Sequence, residues 1–120
     1  CKELADIVAR EHGNIHRSQD LNAAALMRLY ERCDAIRKPE RFAQALWACE
    51  CDARGRTGFE DRPYPQRKRL WHGLQAALAV DTATAAQEAA AKGLKGKAIG
   101  EAVTAVRVGA IQTWLHSSAA

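Results

Sequence analysis

The chain has 120 residues, 48% apolar and 27% charged, with 18 Lys and Arg against 14 Asp and Glu for a net charge of +4. That is one domain's length with a globular composition, which excludes wholesale disorder, and no apolar run approaches the ~20 residues of a membrane span. The mild basic excess permits contact with nucleic acid without demanding it.

The sequence opens on Cys1 rather than Met, with no charged-then-apolar leader behind it. The chain is therefore expected to be a piece of a longer protein, forming a single helical domain over 1–120. Its apolar periodicity is helical throughout. Leu4, Ile7 and Val8 begin a first stripe, and Gly13-Asn14 predicts its end. A second helix is predicted over 22–35, with Asn22 as N-cap and Leu26, Leu29, Tyr30 and Cys33 on one face. Pro39 suits the first turn of a third helix, whose face is Phe42, Ala45, Leu46 and Cys49 and whose end falls near Gly55. Residues 55–65, with two glycines, Pro63 and Pro65, read as the one real loop. A fourth helix carries Leu70, Trp71, Leu74, Ala77 and Leu78. The alanine-rich stretch 82–92 is a short helix, closed by a turn at Gly93 and Gly96. The last helix presents Ile99, Val103, Val106, Ala110 and Trp114 along one side. No segment alternates with period two, so the expected fold is all-α, about six helices with short connections.

Four cysteines invite a metal or disulfide reading, but Cys49 and Cys51 are separated by Glu50 alone, a spacing of neither zinc fingers nor redox sites. Cys33 and Cys49 occupy apolar helix positions and are expected as buried thiols in a reducing, cytoplasmic compartment. His12 and His16 stand four apart, which would let two imidazoles share a metal on one helical face. Gly13-Asn14 between them is expected to break that helix, and the alternative is a pair of surface or capping histidines. His72 and His116 read as structural or solvated. Asp52, near the end of the third helix, opposes the helix dipole. Arg54 and Arg56 are its nearest compensating charges, and a metal-ligand role is the other reading.

Phosphate contact has two candidate stretches. The loop Arg54-Gly55-Arg56-Thr57-Gly58-Phe59 is followed by the basic cluster Arg62, Arg67, Lys68 and Arg69. Gly93-Leu94-Lys95-Gly96-Lys97 feeds a helix start whose free amides attract anions. Neither ends in the Gly-Lys-Ser/Thr of a Walker loop. A solvated basic face is the alternative for both.

Three strings carry a resemblance: Arg37-Lys38-Pro39-Glu40-Arg41, then Cys51-Asp52-Ala53-Arg54-Gly55-Arg56-Thr57-Gly58-Phe59-Glu60, then Tyr64-Pro65-Gln66. They resemble the C-terminal part of bacterial CCA-adding enzymes, the tRNA nucleotidyltransferases with a C-terminal HD domain. Gly93-Leu94-Lys95-Gly96 with Ile99, Glu101 and Arg107 is similar to that family's closing segment. The resemblance implies a longer enzyme whose N-terminal head, holding magnesium, adds C, C and A to tRNA from CTP and ATP. No part of that head can be placed in these 120 residues. The HD domain implies metal-dependent phosphohydrolase activity in the intact protein, with nickel or manganese as the metal. On that pattern His12 and Asp52 match metal ligands, Gly13 stands where an aspartate belongs, and the first histidine would lie upstream of Cys1. The fragment alone is expected to hold no metal tightly and to be inactive.

The leading expectation is thus the latter part of an HD-type domain that positions tRNA, with Arg54, Arg56, Arg62, Arg67, Lys68, Arg69, Lys95 and Lys97 as phosphate contacts. The rivals are a non-enzymatic helical module binding RNA or protein, and part of a related bacterial poly(A) polymerase. A self-contained metallo-phosphohydrolase built on His12, His16 and Asp52 comes last.

Overall fold

The computed structural model describes residues 2–55 and 63–118. Those residues form six α-helices and, among them, no strand, in line with the all-α expectation. The helices are α1 (Lys2–His16), α2 (Ala23–Arg32), α3 (Pro39–Arg54), α4 (Pro65–Leu78), α5 (Thr82–Ala91) and α6 (Lys97–Ser118), with a 3₁₀ turn at Ser18–Asp20 after α1.

The first helix does not stop at Gly13-Asn14. It runs on to His16, because what it buries on the far side outweighs a glycine's cost of about 1 kcal/mol in a helix interior. Ile7, Glu11 and Ile15 lie one turn apart on the inner face, and Ile15 is fully buried. Buried Glu11 accepts from Asn14 Nδ2 at 3.0 Å and from Arg32 Nε at 3.1 Å, so α1 is tied to α2 at the very turn where the sequence suggests a break. Removing that carboxylate would strand two donors near the core.

The second helix starts as its sequence predicts, with Asn22 Oδ1 accepting from the Ala25 amide at 2.9 Å. It ends at Arg32, three residues before Ala35, because Asp34 takes a left-handed backbone with φ of 54°. The Ala35 amide then bonds back to Tyr30 O at 2.9 Å, closing the helix end. Pro39 and Pro65 each occupy the first turn of their helix, where an absent amide costs nothing. Asp81 caps α5 through the Thr84 amide at 3.0 Å. Gly93 (φ 91°) and Gly96 (φ 56°) make the tight reversal into α6, a conformation side chains with a Cβ resist.

The core lies where α1, α2, α3 and α4 converge, with α6 packed against α2 and α4. The predicted face of α3, Phe42, Ala45, Leu46 and Cys49, is its buried face. The Tyr30 and Phe42 rings meet edge-on with centroids 5.6 Å apart, and the Tyr30 hydroxyl donates to Leu70 O at 2.8 Å. Gly73 of α4 presses directly against Tyr30 and the Trp114 ring. In α6 the predicted stripe is rotated from the true one. Ile111 is fully buried, Val108, Trp114 and Leu115 pack beside it, and Val106 is 46% exposed. Apolar residues occupy every side of α6, so its sequence periodicity does not single out the inner face.

The helices pack as a plate of 57 × 38 × 18 Å, with a radius of gyration of 15.9 Å against about 13.6 Å for a compact domain of this length. A plate two helices thick leaves each helix one open face. No helix among the described residues is long and apolar enough to cross a membrane.

Candidate functional site

Continuation of α1 through Gly13 brings His12 and His16 to one side of the helix, their ring centroids 6.0 Å apart and edge-on. His12 Nδ1 is 3.0 Å from Val8 O and 3.3 Å from Ala9 O, which assigns its proton to Nδ1 and leaves Nε2 as the outward acceptor. His16 Nδ1 is 2.8 Å from the Tyr64 hydroxyl, and its Nε2 faces Asp52 Oδ2 at 3.6 Å. Burial pushes the Tyr64 phenol well above its ordinary pKa, so the hydroxyl stays protonated and can donate to Nδ1. The sequence suggests Arg54 and Arg56 as the charges that balance Asp52. Among the described residues His16 stands beside it and Arg54 reaches Glu50 Oε2 at 3.2 Å, while Arg56 lies outside the described residues, as does Arg62.

The residues assigned to the HD metal are His12 and Asp52. Among the described residues no group of three or more His, Cys, Asp and Glu side chains is arranged to hold a metal ion. One ring nitrogen of each histidine is already committed, to backbone carbonyls in His12 and to Tyr64 in His16.

The thiols behave as their positions predict. Cys33 and Cys49 are buried and burial raises their pKa to about 12 and about 11, whereas Cys51 is exposed.

The basic candidates separate into three groups. Arg54, Arg67 and Lys68 line a cleft of about 740 Å³ between α3 and α4. Its walls include Leu46, Tyr64 and Trp71, and exposed His72 stands at its edge. Glu50 bridges two of the cations, Arg54 at 3.2 Å and Arg67 at 3.5 Å, and Lys68 makes no ion pair among the described residues. Arg69 turns the other way: its guanidinium donates to Ser18 O at 3.0 Å and to Leu21 O at 3.2 Å, clamping α4 to the turn after α1. Gln66 adds a bond to His16 O at 2.8 Å on the same seam. Lys95 and Lys97 sit at the exposed α5–α6 turn, where Lys97 comes within 3.9 Å of Glu101.

Sequence reasoning does not single out the aromatic part of this surface. Trp47, 58% exposed, lies on α3 between the cleft-lining residues Ala43 and Glu50 in sequence. Trp71 reads as core in the sequence, yet it packs on the core with one side and lines the cleft with the other. The available signal is its spacing from Lys68 at i+3, which puts ring and cation on one helical face.

The chain is 62% identical over 119 residues to a multifunctional CCA protein of Acidovorax sp. (strain JS42), covering 99% of this chain and 28% of that protein. It is 63% identical over 115 residues to the multifunctional CCA protein of Paracidovorax citrulli, covering 96% of this chain and 27% of the relative. With the multifunctional CCA protein of Ralstonia nicotianae it shares 64% identity over 87 residues, 72% of this chain and 20% of the relative. No family profile matches the chain, and no solved structure matches it. The chain spans little more than a quarter of the length of the Acidovorax and Paracidovorax relatives. Over nearly all its residues the chain is thus more than 60% identical to a segment of multifunctional CCA proteins.

Proposed function

We propose that this chain is the C-terminal, HD-type helical region of a tRNA nucleotidyltransferase that adds and repairs the 3'-terminal CCA of tRNA from CTP and ATP. On this reading its task is to hold tRNA while a separate head, carrying magnesium, performs the transfer. The observation that carries the proposal is the 62% identity over 99% of the chain to a protein named for CCA. Arg54, Arg67 and Lys68 in the α3–α4 cleft, together with Lys95 and Lys97 at the α5–α6 turn, offer cations to a phosphate backbone. Arg56 and Arg62 keep the same assignment from the sequence. Arg69, with two of its donors on backbone carbonyls, serves the fold.

His12 and Asp52 remain the HD-type metal candidates, and nickel or manganese hydrolysis would need ligands beyond the described ones. This chain alone should leave a 2',3'-cyclic nucleotide intact with manganese, nickel or magnesium. Turnover that vanishes in His12→Ala and Asp52→Ala would make the site self-contained.

The test is CCA addition by the intact protein to tRNA lacking its 3' end. Arg67→Ala and Lys68→Ala should each raise KM for tRNA severalfold while leaving KM for CTP unchanged. Absence of any incorporation by the intact, folded protein would refute the enzymatic reading and favour a non-enzymatic binding module.

A further inference from the structure

The α3–α4 cleft is built for more than a phosphate. A purely electrostatic contact needs only exposed cations. Here the cations rim a hollow whose walls are apolar and aromatic: Leu46, Tyr64 and Trp71. Its volume of about 740 Å³ falls within the ~300–1,000 Å³ typical of sites that enclose small molecules. Trp71 is half-buried, fixed against the core on one side, so its orientation is set before any ligand arrives. Trp47 stands exposed on the outer side of α3. A planar ring system flanked by cations is what a nucleobase and its phosphate require together. The ring stacks on any base, and the cations take the backbone.

We propose that this cleft receives one unstacked nucleotide of an RNA strand, its base against Trp71 and its phosphate on Lys68 and Arg67. The inference rests on the RNA-binding role proposed above and specifies what that surface holds. Charge complementarity selects the occupant. Among the described residues lining the cleft, three cations stand against the one carboxylate of Glu50, which leaves the cleft positive. That suits a polyanion and disfavours an apolar peptide helix. Glu50 holds Arg67 only at 3.5 Å, so the guanidinium can turn to a phosphate without losing a strong partner. Lys68, with no carboxylate on it among the described residues, gives up nothing to do the same.

The experiment compares a uridylate hexamer with an abasic ribose-phosphate hexamer of equal charge, both titrated against the intact protein at fixed salt. The proposal predicts about tenfold tighter binding of the base-bearing strand, the size of one base–aromatic stack. Trp71→Leu, which keeps apolar bulk against the core but removes the ring face, should abolish the preference. Trp71→Phe should restore most of it. Lys68→Ala should weaken both hexamers alike. Equal affinity of the wild type for the two strands, or a base preference that survives Trp71→Leu, would overturn the base-binding cleft while leaving the tRNA role standing. If neither hexamer nor tRNA binds, the RNA reading itself fails, and this inference with it.

Discussion

At the scale of single residues, the strongest commitment in this molecule is the Glu11 carboxylate. It is 2% exposed and held by Asn14, Arg32 and Arg10. Burial raises its pKa, and the hydrogen bonds from Asn14 and Arg32 more than offset that, leaving it below the ordinary carboxylate range. A depressed folded pKa gives stability that is complete above the unfolded value near 4.5 and is lost as pH falls through the folded one. Glu11→Gln should therefore cost about 2 kcal/mol in urea denaturation at pH 7, with the difference from wild type shrinking in acid. A difference that stays constant down to about pH 3 would show that the charge is not what matters. Thiol accessibility gives a second residue-scale check. Cys51 should alkylate readily at neutral pH, whereas Cys33 and Cys49 should react only when the chain is unfolded, as intact-mass spectra before and after denaturant would show. None of this is legible in sequence beyond the thiols. The Arg32 partner of Glu11 lies 21 residues away, and no local pattern points across that distance.

At the scale of elements, the sequence is most informative where a helix needs local chemistry. The Asn22 cap, the proline start of α3 and its buried face can all be read from neighbouring residues. It is least informative where tertiary burial decides. The extension of α1 through Gly13 depends on Ile15 reaching the core, and the inner face of α6 depends on which partners it meets. The close approach of α4 to α2 and α6 is of the same kind, and it makes Gly73 indispensable. A methyl there would collide with the Tyr30 hydroxyl and come within 3.2 Å of the Trp114 ring. Gly73→Ala should cost about 1–3 kcal/mol from overpacking. Gly109, with nothing within 4 Å of a built Cβ, provides the contrast. Gly109→Ala should stabilise the chain by up to about 1 kcal/mol, since only helix propensity changes. Thermal unfolding of the two variants side by side reads both, and equal shifts would contradict the packing described for α4.

At the scale of the whole molecule, a plate of 57 × 38 × 18 Å carries a cleft lined by Arg54, Arg67, Lys68 and Trp71, and the proposed RNA contact rests on that surface. The strings around Asp52 and Arg54 carry the resemblance to CCA-adding enzymes in the sequence. The cleft itself does not show there, because its walls come from two helices and one of its rings looks like core. The measurement that tests this account most directly is the salt dependence of tRNA binding by the 120-residue chain, with and without the cleft cations. Log affinity should fall linearly with log salt, and Arg67→Ala combined with Lys68→Ala should reduce that slope by about two, one for each phosphate left unneutralised. A slope unchanged by the two substitutions would place the tRNA elsewhere, and tRNA that does not bind the folded chain at low salt would contradict the role assigned to it.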